Sequence, residues 1–193
     1  MDSKLSETIA IQKQIKDYLE EIRMPALRKN VLKLYAAVEE KLRNNPASIK
    51  YHHNYKGGLY VHTLEVMEFA LDMFDLYKER FLHDFNRDDV ICISFIHDLE
   101  KITKYKRNIS PNVGHNKYET EFLYNDNKVD MNDSAEVVNL ISKYGIFLTD
   151  IQLNSLVFHH GGFSIDKGKM TSLACLIHTA DLFSTTIGAI RKC

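Results

Sequence analysis

The sequence predicts an all-α protein, a compact helical bundle, and three observations carry that prediction. Apolar residues recur at three- and four-residue steps along most of the chain. Breakers and capping residues (Pro25, the Asn44-Asn45-Pro46 run, Asn86, Thr149) stand where those periodic runs stop or start. Strand-like alternation shows in one short stretch, "KYETEFLY", residues 117–124.

Taken in order, Leu5, Ile9, Ile11, Ile15, Tyr18, Leu19 and Ile22 mark a first helix that stops near Pro25, since proline removes a helical N–H and clashes with the preceding turn. Leu27, Val31, Leu34, Tyr35, Val38 and Leu42 mark a second, ending before Asn44-Asn45-Pro46. Residues 46–58 read as a loop whose Gly57-Gly58 pair allows close backbone approach. A helix over 59–77 carries His62 in its first turn, and the next, capped by Asn86 or Asp88, runs to His97-Asp98 near its C-terminal end. The stretch 104–129 holds Pro111, Gly114 and scattered Asn; it predicts a short β-hairpin insertion, read either as a lid over the site or as a plain surface excursion. Two helices follow over 134–144 and 149–159, broken at Gly145 and capped by Asp133 and Thr149. Gly161, Gly162 and Gly168 mark a further loop before a last helix over 171–190. A single domain over 1–193 is expected, with N-terminal helices in 1–45 and the site-bearing core in 46–190.

Composition agrees with one globular enzyme-sized unit. A chain of 193 residues, 45% hydrophobic and 26% charged, can bury a core without disulfides. The net charge of -1, from 25 basic and 26 acidic side chains, makes no global field for long nucleic acid, although a local basic patch is compatible with it. Cys92, Cys175 and Cys193 are odd in number and far apart, which suits a reducing compartment; Cys92 and Cys175 read as small core residues. With no apolar stretch of ~20 residues and no signal-peptide pattern, a cytoplasmic location and no membrane partner are expected. The apolar faces of the first two helices serve either core packing or a homo-oligomer contact.

The pattern with the most chemistry is His62, then His97-Asp98, then Asp181, each in a different helical run. His97 and Asp98 stand among Val90, Ile91, Ile93, Phe95 and Ile96, a run expected to be buried, and burying both polar groups uncompensated is costly. Imidazole and carboxylate donors from three helices would hold a divalent metal with positions open for water and substrate. An ordinary ion pair or cap is the alternative for an isolated His-Asp pair. Two neutral imidazoles favour Mn, Fe or Co, then Zn or Ni, then Mg.

The context of each member resembles the HD-domain metal-dependent phosphohydrolase superfamily, in particular its small bacterial and phage hydrolases. "YHHNYKGGLYVHTLEV" (51–66), "FIHDLEK" (95–101) and "LIHTADLFST" (176–185) are similar to the family's "HHxxxGGLxxHTLEV", "HDLGK" and "HxAD" segments, in the family's order; "LYND" (123–126) and "HHGGF" (159–163) continue the likeness. The resemblance implies a metal-dependent phosphohydrolase acting on a nucleotide through metal-activated water, in the cytoplasm of the host if phage-encoded, and the small size of the chain favours a free nucleotide, a mononucleotide or deoxynucleoside triphosphate. Its alternatives are a phosphodiesterase or 3'-5' exonuclease of the same type, and a degenerate nucleotide-binding domain without turnover. It implies that His62, His97, Asp98 and Asp181 bind the metal and that Lys101 meets a phosphate.

Around this set, Asp98, Lys101 and His159 are the expected catalytic groups, His159 as a phosphate or leaving-group donor. His159, His160 and His115 are candidates for a second metal or the substrate. Glu100 stands where the family has Gly, and Ser134 where relatives with two metals have a partner His. His52 and His53 line a candidate substrate entrance, with a polar loop as the plainer reading. His178 is expected to orient Asp181, and Glu65 to orient His62, while Tyr51, Tyr55 and Phe163 stand where a base could stack.

Overall fold

A computed structural model of the chain describes residues 15–80, 84–108, 121–161 and 168–190. Among them the architecture is helical with one small sheet: α1 (residues 15–20), α2 (Pro25–Asn44), α3 (Gly58–Tyr77), α4 (Arg87–Ile96), α5 (Lys101–Lys104), β1 (Tyr105–Arg107), β2 (Phe122–Tyr124), α6 (Asp133–Ser142), α7 (Asp150–Phe158) and α8 (Ser172–Ile190). The expected all-α bundle with a short hairpin is what forms. The hairpin pairs β1 with β2, Tyr105 opposite Tyr124 and Arg107 opposite Phe122, so the alternating stretch supplies one arm and residues just after α5 supply the other.

Local chemistry sets the helix ends. Pro25 sits in the first turn of α2, where its missing N–H costs nothing. Asn86 caps α4 in a reciprocal box with Asp89, and Thr149 caps α7 in another with Gln152. The α6 cap is Asn132, whose side chain accepts from Ser134 N and Ala135 N; Asp133, expected in that role, is the first helical residue and pairs with Lys104 instead. Asp88 faces inward and accepts from the backbone N–H of Arg23 and Met24 at 2.9 and 3.0 Å, tying the α1–α2 turn to α4.

The central helix α3 packs against α8, α4 and α2, and α7 packs against α8 and α4. One hydrophobic cluster takes residues from the helices: Leu19, Leu34, Leu59, Met67, Ile91, Phe95, Ile141, Leu156, Leu173 and Ile177 are all buried in it, while Tyr105 and Phe122 of the hairpin form a small separate cluster with Ile49. Cys92 belongs to this core, whereas Cys175 is exposed, because α8 turns Leu173, Ala174, Leu176 and Ile177 inward and leaves Cys175 on its outer face. Among the described residues no helix is long and apolar enough to cross a membrane.

Candidate metal centre

Three local features bring the polar residues of the bundle to one point. Gly57, at φ +86, starts α3, and a Cβ on Gly58 would lie 1.9 Å from the His53 carbonyl oxygen. Two glycines therefore let the 46–57 loop close over the first turns of α3, from which His62 enters the core completely buried. The α4 helix ends at Ile96, one residue before the His-Asp pair. His97 is its C-cap and Asp98 lies in the following turn, not within the helix as the sequence suggests. Asp181 projects from the middle of α8, which the α3–α8 packing lays alongside His62.

The His62 Nε2 atom lies 3.1 Å from Asp98 Oδ2, 3.2 Å from Asp181 Oδ1 and 3.3 Å from His97 Nε2; His97 Nε2 lies 3.4 Å from Asp98 Oδ2. The other ring nitrogens say what these atoms are. His97 Nδ1 is 2.7 Å from the Ser94 carbonyl, which can only accept, so Nδ1 carries the hydrogen and Nε2 a lone pair in the neutral ring. Ser184 Oγ donates to Glu65 Oε2 at 2.8 Å and so accepts from His62 Nδ1 at 2.9 Å, which leaves His62 Nε2 likewise. Two imidazole lone pairs and two carboxylates thus converge, the four donor atoms all within 4.8 Å of one another. Such a set repels itself unless positive charge sits among its members. Where a proton does so, burial lowers His62, yet hydrogen bonds with Asp181 and Asp98 outweigh it and take the ring to about 9. A divalent cation meets the same demand with the donor types it prefers, each imidazole already oriented by its far nitrogen. The residues fit a metal.

The surrounding groups divide into committed and uncommitted. Lys101 is buried with its ammonium directly on Asp98 Oδ2, so it braces a donor of the set and is not free at the helix surface. Burial opposes its charge, but Asp98 and Glu100 prevail and raise it. Burial would raise Asp98 too; Lys101 and His97 outweigh that and hold the carboxylate well below its usual range. Glu100 is buried beside Asp98 with both carboxyl oxygens unpaired, and burial followed by Asp98 raises it. His159 Nδ1 lies 2.7 Å from the Leu156 carbonyl; its Nε2 is buried without a hydrogen bond, 3.8 Å from Asp98 Oδ1, itself unpaired. His160 is half-exposed, with Nδ1 3.9 Å from Asp181 Oδ2. Asp98, His159 and His160 form a second cluster of metal-donor type. His52 and His53 lie beside His62, their ring centres 4.9 and 5.5 Å from it. His115 and Phe163 lie outside the described residues.

Two orienting roles differ from expectation. His178 Nδ1 donates to the His159 carbonyl at 2.6 Å, away from Asp181, and Gly161 at φ +59 leaves room for that ring, which a Cβ there would meet at 2.4 Å. Glu65 reaches His62 through Ser184, and its Oε2 is 3.2 Å from His53 Nε2. Ser184 escaped the sequence reading. Its signal was the spacing of three from Asp181, which puts both on one face of α8.

A helical domain with a buried His/Asp cluster able to hold a divalent metal is the class that this fold and donor set define. The chain belongs to the HD domain family, whose model matches residues 59–186, from the start of α3 into α8, a span holding all four donors. It is similar to the dihydroneopterin 2',3'-cyclic phosphate phosphodiesterase of Methanocaldococcus jannaschii, at 36% identity over 105 residues, 54% of this chain and 41% of that protein. It is also similar to the 3'-5' exoribonuclease YhaM of Listeria innocua and of Listeria monocytogenes, each at 22% identity over 98% of this chain and 60% of the relative. The chain therefore spans between two fifths and three fifths of the length of these curated relatives. No solved structure matches it.

Proposed function

We propose that this chain is a metal-dependent phosphohydrolase whose bond is a phosphodiester in a nucleotide-type substrate. The observation that carries the reading is the convergence of His62, His97, Asp98 and Asp181 with their far ring nitrogens already engaged, beside two buried atoms that have no partner, Asp98 Oδ1 and His159 Nε2. A divalent cation held there, with Mn, Fe or Co favoured over Zn, Ni or Mg, supplies a Lewis acid for a phosphoryl oxygen and lowers the pKa of a coordinated water.

The protein's own groups do the rest. Lys101 keeps Asp98 ionised and adds positive charge where a phosphate enters. His159 donates through Nδ1 to Leu156, so its Nε2 accepts; it suits taking a proton from the attacking water better than giving one to a leaving group. The same lone pair could serve a second cation with Asp98 and His160. Against that, Ser134 on α6 spends its hydroxyl on the Leu156 carbonyl at 3.1 Å and brings no imidazole, which favours one ion. Both relatives bear names for diester cleavage, of a cyclic phosphate in one and of an RNA 3' end in the other, and this favours a diester over the mononucleotide or triphosphate expected from chain size.

Product analysis by mass spectrometry tests the reading, with 2',3'-cyclic nucleotides, short RNA, nucleoside monophosphates and triphosphates, each with Mn, Co or Mg. Cleavage of a diester by the native chain and none by Asp98→Ala is expected. Release only of phosphate from monophosphates or triphosphates would move the specificity back to free nucleotides, and nucleotide binding without any product would leave a non-catalytic domain.

A further inference from the structure

The neighbouring histidines at the entrance differ in how far they are engaged. His53 Nε2 meets Glu65 Oε2 at 3.2 Å, its carbonyl accepts from Ala47 N at 3.1 Å and its backbone holds φ +45 against Gly58, which leaves its buried Nδ1 as the one ring nitrogen without a hydrogen bond. His52 has neither ring nitrogen hydrogen-bonded, although both are shut away from solvent. Buried polar atoms in a folded protein normally have partners, and a side chain with none at the rim of a site is poised for a ligand.

The surroundings say which kind. The ring of His52 lies 4.9 Å from that of His62, so it stands beside the metal centre on the 46–57 loop. It is not placed to bind the same cation, because the cluster it joins is His52, His53 and His62 without either aspartate. A separate cation in that trio would have to take His53 from Glu65 and His62 from Ser184 or the carboxylates. What remains is a group that arrives with the substrate. A neutral imidazole presents one N–H donor, and an oxygen of a phosphate drawn to the cation and Lys101 is the acceptor that would come within its reach.

We propose that His52 is a substrate-binding residue that donates a hydrogen bond to a phosphoryl oxygen of the ester, while His53 beside it is held by Glu65 through its Nε2. This rests on the phosphohydrolase reading, and the test separates the two. Manganese-loaded protein is titrated with inorganic phosphate by calorimetry, native against His52→Ala and His52→Phe, after manganese affinity has been measured for each. Phe keeps a ring in the same space and lacks both nitrogens, so it decides the matter should the Ala variant fold poorly. Expected is manganese affinity unchanged within about twofold and phosphate affinity weakened about tenfold or more in both variants, the size of a lost hydrogen bond to a charged group. Native phosphate affinity in either folded variant overturns the inference, as does manganese lost with the ring, or native protein that holds manganese and binds no phosphate. Phosphate bound through His52 by a protein that cleaves no ester would leave the inference standing and remove the hydrolase reading.

Discussion

At the scale of single residues, the far nitrogens of the imidazoles decide the chemistry. Ser94, Ser184 and Leu156 each take up the Nδ1 of one histidine, and this turns the Nε2 atoms of His97 and His62 into lone-pair donors within the four-residue cluster and that of His159 into one beside Asp98 Oδ1. Ser184 has a bridging part, linking His62 to Glu65 and, through Glu65, to His53. Ser184→Ala should weaken manganese binding by about 10–100-fold, the usual cost of losing a group that orients a ligand. Ser184→Thr should restore most of it; calorimetric titration of the apoprotein measures both, and native affinity in Ser184→Ala would refute the orienting role. That His62, His97, Asp98 and Asp181 would come together was legible in the sequence, since a His-Asp pair inside an apolar run demands compensation. Ser184 was not, because a serine on a helix declares nothing until the partner helix is in place.

Helices and turns show where sequence signals are strong and where they are overruled. Caps and breakers placed the helices to within a few residues, yet the α6 cap shifted from Asp133 to Asn132 once Lys104 engaged the aspartate. Asp88, read as a cap, is the acceptor that fastens the turn between α1 and α2. Asp88→Ala leaves two backbone N–H groups without this partner and should cost about 1–3 kcal/mol, measured as a fall in the urea midpoint with unchanged slope. The α2–α3 contact carries another signature: the buried hydroxyls of Tyr35 and Tyr60 lie 3.1 Å apart. Burial raises Tyr35 to about 12 and pushes Tyr60 up further with help from Tyr35. In the unfolded chain both titrate near pH ~10. Below that pH both states are protonated and the contribution to stability is complete; as pH climbs from about 10 through 12 the unfolded state ionises first, so stability is lost. Denaturation curves from pH 8 to 12 should show this fall, and Tyr35→Phe with Tyr60→Phe should flatten it.

For the whole molecule, the expected consequence of the donor cluster is that metal and fold are linked. Four polar groups converge among α3, the α4 turn and α8, and a cation that binds only this folded arrangement stabilises it by mass action. Chelation should lower the thermal midpoint and manganese at about 100 times its dissociation constant should restore about 2.7 kcal/mol; Asp181→Ala should show no response to either. We further propose that residues 1–193 unfold as one unit, because Asp88 and Arg87 tie the α1–α2 region to α4 and the same hydrophobic cluster runs from Ile15 to Ala180. A single transition seen alike by circular dichroism and tyrosine fluorescence is the expected outcome; two separated transitions would divide the N-terminal helices from the rest.

Much of this protein can be read from the chain alone: the helical class, the order and rough limits of the elements, the family, and the four His and Asp residues that cluster. The reason is that hydrophobic period, caps and a run of motif residues are local properties. Tertiary structure alone decided that the His-Asp pair sits in a turn, that Lys101 braces Asp98, that His178 serves His159 and not Asp181, and that Ser184 joins Glu65 to His62. It also set His52 apart from His53, which as adjacent letters are identical. Each of these depends on where side chains from distant segments meet, and a hydrogen bond spanning 119 residues leaves no trace in the local pattern.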